Sequence, residues 1–282
     1  LRRIRLQHQL EIKITEAESL QEIDRIKSEF FANVSHEFRT PLTLILDPVE
    51  QLMKEDGLNS RQKEYINLIL KNSRQLLFLT NQILDLIRLS TGQIRLRVEE
   101  VDLSLFIAPI SHTFRSKAEV LNMDYTVSLL DRPLKVWIDR EKAEQIIVNL
   151  LSNAFKFCPP GGKIALRITE EADSVTVHIE DSGIGIPADQ VDHIFEKYYQ
   201  VDSPYTRDMA GTGIGLFLVR ELMNLHHGHV NVNSEEGRGS IFSVRFLRGH
   251  SHFKADQLKE EPGSTKKDHA QSTEMALSLI HI

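Results

Sequence analysis

The sequence predicts an α+β protein in two parts, a long helical hairpin followed by a mixed α/β domain. Three observations carry this prediction. Between about residues 61 and 89, Ile66, Ile69, Ser73, Leu76, Thr80, Ile83 and Ile87 alternate in steps of three and four, with Leu70, Leu77 and Leu84 as a second stripe. After Ser90-Thr91-Gly92 the texture changes to short alternating or apolar runs separated by helical stretches. From Gly249 onward the chain turns polar, with Lys, Glu, Ser, Thr, Pro and Gly, which predicts a disordered tail over 249–282.

Residues 1–25 hold no Gly or Pro, and Leu6, Leu10, Ile14, Ala17, Leu20 and Ile23 form an imperfect heptad. This reads as a coiled-coil-like helix that pairs with a copy or a neighbour, or as a single solvated helix with a narrow stripe. The hairpin occupies 26–92. In its first helix, Phe30, Val34, Phe38, Ile45, Val49 and Leu52 define one face. At about 100° per residue, their mean direction lies roughly 180° from that of His36, which puts His36 on the wet side with Glu37 beside it. Thr40 rises on the same outer face and Pro41 should bend the helix. Gly57, within Glu55 to Ser60, breaks the chain before a second helix from about Arg61 to Leu89. One hairpin cannot bury stripes this wide, so dimerisation into a four-helix bundle is expected.

The second domain is expected over 98–248. Strands are read at Tyr125 to Leu129, Lys135 to Ile138, Lys163 to Thr169, Val175 to Glu180, His229 to Asn233 and Ser240 to Phe246. Helices are read at about 103–121, 140–157, 187–194 and 214–226. Helices this unevenly spaced favour a mostly antiparallel sheet with helices on one face. Phe253 and Met275 are too sparse in the polar tail to predict a core there.

Composition narrows the function. With 40 acidic against 34 basic residues, the net charge of −6 speaks against nucleic-acid binding or membrane coating. Cys158 is the only cysteine, so no intrachain disulfide forms and a reducing compartment is expected. No run of eighteen apolar residues occurs, and the opening LRRIRLQHQL lacks a signal-peptide core, so the chain as given is expected to be soluble.

Four motifs bear on nucleotide binding. In NLLSNAFKF, Asn149, Asn153 and Lys156 share one helical face; amide oxygens suit Mg²⁺ and lysine suits phosphate, though a polar outer face reads equally well. In DSGIGI, Gly183 and Gly185 let a flat ring approach the backbone, and Asp181 can accept a hydrogen bond from an exocyclic amine; alone, this is also a strand-ending turn. GTGIGL, from Gly211 through Thr212, Gly213 and Gly215 to Leu216, opens a helix whose amides suit phosphates. It follows the unpatterned Val201 to Ala210, read as a mobile lid. EGRGS, Glu236 to Ser240, reads as a tight turn. His226, His227 and His229 cluster at a helix end, where a metal site is conceivable but no acidic or Cys partner stands at ligand spacing.

The order FANVSHEFRTPL, NLLSNAFKF, DSGIGI, FEKYYQ, GTGIGL and EGRGS resembles the two-component sensor histidine kinases over residues 25–247, and the wording SHEFRTPLTLIL is similar to that of hybrid sensor kinases of Bacteroides-like bacteria. The resemblance implies a signalling helix, a dimerisation and histidine-phosphotransfer hairpin, and an ATP-binding domain of the Bergerat (GHKL) fold, an α/β sandwich. It makes His36 the phosphoacceptor, with Glu37 polarising its imidazole and Thr40 orienting water for dephosphorylation of the partner. Asn153 becomes the Mg²⁺ ligand with Asn149 close by, and Lys156 a phosphate contact. Asp181 becomes the adenine-reading carboxylate, Gly183, Gly185, Gly211, Gly213 and Gly215 shape pocket and lid, and Phe195 anchors the lid. ATP and Mg²⁺ are the implied cofactors. The implied partners are a second copy of the chain and a response-regulator receiver domain, and the implied setting is the cytoplasmic portion of a membrane-anchored bacterial sensor. Cys158 stands where Thr or Ser is usual, His227 interrupts His-Gly-Gly, and FLRG replaces Leu-Pro after the last strand. The rival expectations are a catalytically silent ATP-binding scaffold and an ATPase that uses water in place of His36.

Overall fold

The computed structural model describes residues 41–53, 57–201 and 212–259. His36, Glu37, Thr40 and Gly211, the helix expected over 1–25 and the expected lid from residue 202 onward lie outside the described residues, as does the tail beyond 259. The chain divides into two compact units between Ile94 and Arg95.

In the first unit, α1 comprises helical residues 41–53 and α2 spans Ser60–Ser90. Gly57 turns the chain with φ of 107°. Asn59 then caps α2 reciprocally: its Oδ1 accepts the Gln62 N–H and Gln62 Oε1 accepts the Asn59 N–H, both at 2.9 Å. Leu46, Ile66 and Leu70 form the hairpin core, with Val49, Met53, Leu58 and Leu77 packed against them. The face expected to turn inward on the first helix is split, which corrects the sequence reading. Leu42 and Leu46 are buried, whereas Ile45 and Leu52 are exposed, together with Ile69, Leu76 and Ile83 at heptad spacing on α2. The cause is geometric, because two helices can cover only one stripe of each other.

The second unit runs β1 (Glu99–Asp102), α3 (Leu103–Val120), β2 (Asp124–Ser128), β3 (Lys135–Ile138), α4 (Arg140–Phe157), β4 (Lys163–Glu170), β5 (Ser174–Asp181), α5 (Gly215–Leu225), β6 (His229–Glu235) and β7 (Gly239–Leu247). Five strands form one sheet in the order β2-β4-β5-β7-β6, antiparallel apart from the β2–β4 pair. Alternation explains its two faces. Ile164, Leu166, Ile168, Val175, Val177, Ile179, Val244 and Phe246 are buried, as are Ile146, Ile147, Leu150 and Leu151 of α4, which packs on β5. On the opposite face, His178 lies 2.8 Å from both Thr169 Oγ1 and Ser243 Oγ.

Three expectations are corrected. β1 was not expected, since VEEVD has little strand character of its own; it exists by antiparallel pairing with β3, Val101 opposite Val136. Residues 187–194 form successive turns, not a helix: the N–H groups of Gln190, His193 and Glu196 each reach back three residues, so no four-residue ladder develops. The first part of the expected disordered tail, 249–259, is folded. Phe253 is buried with Leu96 and Val98 against Trp137, Leu225 and Leu258. The Val98 N–H donates to Gln257 O at 2.8 Å, and the Lys259 N–H to Val98 O at 2.9 Å. A single aromatic suffices because the surface that receives it comes from the start of the unit.

Candidate functional site

The site is assembled around the C-terminal half of α4. Asp139 caps that helix, accepting the Lys142 N–H at 3.1 Å, while its other oxygen holds the Arg97 N–H at 2.8 Å. Asn149, Asn153 and Lys156 follow on one face. Asn149 is buried and its Nδ2 donates to Gln145 O at 2.8 Å, which fixes the end of the amide that carries the oxygen. Asn153 and Lys156 are half-buried. The Lys156 ammonium lies 4.9 Å from the Phe157 ring centroid, and burial lowers its pKa below the usual lysine value.

β5 ends at Asp181, ahead of a glycine loop that meets the C-terminal end of α4. The Asp181 side chain is buried, and Oδ1 accepts the Gly183 N–H at 2.8 Å. Burial pushes the carboxyl up to about 6 despite hydrogen bonds from the Gly183 and Ser240 backbones. The glycine loop is sewn to the end of α4, where the Ile184 N–H donates to Phe157 O at 3.2 Å. A Cβ on Gly183 would meet that oxygen at 2.5 Å and Asp181 Oδ1 at 2.6 Å, so no other residue fits there. Gly185 has φ of 66°, and a Cβ on it would collide with Glu235 O.

Phe195 is buried in the turns that follow. They end at Tyr198, whose N–H donates to Gly213 O at 2.9 Å, joining FEKYYQ to the loop before α5. Thr212 Oγ1 accepts the Ile214 N–H at 3.4 Å. Gly215 and Leu216 open α5, whose N-terminus carries no side-chain cap. Motifs far apart in sequence are thus brought together in two sets: Asp181 and Gly183 at the end of α4 with Gly185 against Glu235, and Tyr198 of FEKYYQ with Gly213 ahead of α5.

EGRGS is more than the tight turn expected of it. The Gly237 N–H donates to Ile184 O at 2.7 Å, so the β6–β7 turn backs the glycine loop directly. Sequence reasoning missed this, and missed Ser234 entirely, because a serine in a strand carries no signal of a long-range contact. A cavity of about 540 Å³ borders the loop at this turn, lined in part by Ser182, Gly183, Gly185, Pro187, Glu236 and Gly237. It takes in the two glycines but not Asn149, Asn153, Lys156 or Asp181.

The histidine cluster is structural. His226 is buried, its Nε2 accepting the Asp139 N–H at 3.1 Å and its Nδ1–H donating to Leu222 O at 2.7 Å, so both ring nitrogens are engaged. His227 takes a positive φ of 55° just past α5. Among the described residues no group of three or more His, Cys, Asp or Glu side chains could hold a metal ion. Cys158 is a buried small side chain, its Sγ 3.7 Å from both Lys163 O and Ser182 Oγ.

Comparison with known proteins gives the family of the two units. Residues 26–92 match the His Kinase A (phospho-acceptor) domain, and residues 138–250 match the histidine kinase-, DNA gyrase B- and HSP90-like ATPase family. The hybrid signal transduction histidine kinase D of Dictyostelium discoideum is 36% identical over 234 residues, 81% of this chain and 15% of that protein. Histidine kinase P4 of Formosa agariphila is 34% identical over 259 residues, 90% of this chain and 19% of that protein. The chain thus spans less than a fifth of either relative. The crystal structure of full-length ShkA in complex with AMPPNP superposes with a TM-score of 0.64 at 26% identity, over 78% of this chain and 46% of that one. A phospho-acceptor domain followed on one chain by this ATPase fold places the protein in the two-component sensor histidine kinase family.

Proposed function

We propose that this chain is the kinase core of a sensor protein, transferring the γ-phosphoryl group of ATP to His36 and then to an aspartate on a response-regulator receiver domain. The observation that carries the proposal is that the glycine loop after Asp181 is bonded to the end of α4, Ile184 N–H to Phe157 O, one residue past Lys156 on the helix that carries Asn149 and Asn153. Asp181, ionised at neutral pH, accepts the exocyclic amine of adenine. The loop through Gly183 and Gly185, held against the end of α4 and the β6–β7 turn, borders the purine, and Lys156 meets the phosphates. The uncapped amides opening α5, with Gly211, Gly213 and Gly215, close over them, and Phe195 anchors that segment. The neutral amide oxygen of Asn153, with that of Asn149 beside it, fits the hard donor set of Mg²⁺, which when bound offsets phosphate charge. One nitrogen of the neutral His36 imidazole attacks the γ-phosphorus, the bond to ADP breaks, and Glu37 accepts the N–H of the other nitrogen. Positioning and electrostatics provide most of the acceleration in such a transfer.

The exposed heptad of Ile69, Leu76 and Ile83, with Ile45 and Leu52, supports a homodimer closed into a four-helix bundle. Thr40 positions water for dephosphorylating the receiver. We place the chain on the cytoplasmic side of a membrane-anchored sensor; no helix among the described residues is long and apolar enough to cross a membrane. The intact nucleotide side disfavours a catalytically silent scaffold. Labelled ATP should yield an acid-labile, base-stable phosphoprotein, and His36→Gln should abolish it. Label that survives His36→Gln overturns the proposal.

A further inference from the structure

We infer that Ser234 is a positioning residue for purine selection, acting through the glycine loop and Asp181. This rests on the reading of Asp181 as the adenine-side carboxylate. The Ser234 hydroxyl is half-buried on β6 and makes three contacts. It accepts the Ile186 N–H at 2.9 Å, donates to Gly239 O at 3.0 Å, and lies 2.9 Å from Ser240 Oγ. A hydroxyl has one proton, and here Gly239 takes it. With that proton on Gly239 O, the Ser234–Ser240 contact takes its proton from Ser240.

Ser240 stands opposite Asp181 in the sheet, and its backbone N–H bonds the Asp181 carboxylate. Proton direction is thus set along the chain Ser240 to Ser234 to Gly239. The Asp181 carboxylate, held by the Ser240 backbone N–H, presents an acceptor, which suits an amine at the purine 6-position and opposes a carbonyl there. The same hydroxyl ties the loop to the β6–β7 hairpin by accepting the Ile186 N–H, beside the bond from the Gly237 N–H to Ile184 O. Close packing leaves little slack around these links: a Cβ on Gly185 would strike Glu235 O, and one on Gly239 would strike Asp181 O.

The test is displacement of a fluorescent ATP analogue from the whole chain by ATP and by GTP, in wild type, Ser234→Ala, Ser234→Thr and Asp181→Asn. Losing one half-buried hydrogen-bond hub should weaken ATP binding about tenfold in Ser234→Ala and GTP binding by no more than about twofold, compressing the ATP/GTP ratio. Ser234→Thr, which keeps the hydroxyl, should restore the ratio. A ratio unchanged in Ser234→Ala, or equal weakening of both nucleotides, overturns the inference. If Ser234→Ala fails to fold, Ser234→Cys, a poorer hydrogen-bonding group of similar size, is read by the same ratio. Asp181→Asn separates the two readings. A ratio preserved there sinks the assignment of Asp181, whereas a ratio lost there and preserved in Ser234→Ala sinks only the role of Ser234.

Discussion

Replacing Asp181 with asparagine should stabilise the ATP-binding unit while removing its preference for ATP over GTP. Folding lifts the Asp181 carboxyl from 3.8 to about 6, chiefly through burial. At about 1.4 kcal/mol per pKa unit, keeping it ionised costs the folded state about 3 kcal/mol. The side chain is buried, so solvent screening takes little from that figure. The sign follows from the raised value. Below about pH 4 the group is protonated in both states and carries no penalty. Stability is lost as pH rises to about 6, and the full penalty holds above that. Asparagine has no charge to desolvate, but its NH₂ cannot accept the Ser240 N–H, a loss of about 1 kcal/mol. Asp181→Asn should therefore be more stable than wild type by about 2 kcal/mol at pH 7.5, and slightly less stable at pH 4. Trp137, the only tryptophan, lies in the second unit and reports its unfolding in urea. A gap between the two proteins that does not change from pH 4 to pH 7.5 would refute the desolvation argument.

Phe253→Ala should cost about 3 kcal/mol in the same urea experiment, with Trp137 emission shifting to the red as the cluster opens; an unchanged midpoint would contradict a packed extension. Leu76→Lys places a charge on a side chain that is 48% exposed, so helicity should persist while light scattering shows the dimer falling to monomer. A variant that stays dimeric would remove the heptad from the interface. Gly185→Ala combines positive φ with a backbone collision and should destabilise the unit by more than about 1 kcal/mol and abolish nucleotide binding. Normal nucleotide affinity in that variant would mean that the loop yields at this point.

Much of the fold was legible because local and tertiary preferences coincide. α4 is bounded as expected, since Asp139 caps it and its apolar spacing matches the face it buries. β3 matches its expected limits for the same reason. The failures occur where distant chain decides. Glu99–Asp102 becomes a strand only because β3 lies beside it. Val191, Ile194 and Phe195 mimic helical spacing, yet the backbone there closes three-residue turns. Within the candidate site, Gly183 and Gly185 read from sequence as room for a flat ring, and the close neighbours their missing Cβ admits are backbone, Phe157 O at Gly183 and Glu235 O at Gly185. Ser234 was not readable, because nothing in NVNSE records that its hydroxyl meets Ile186, 48 residues away.

The contact between residues 257–259 and Val98 also has a mechanical meaning. Val98 and Leu258 run parallel, and Lys259 pairs with Glu99 at 3.1 Å. Tension applied between the two ends of the ATP-binding unit is therefore carried across a few residues at this junction. Little of it passes through β5 or the glycine loop, so pulling on the chain would shear this short latch while the nucleotide site stays unloaded.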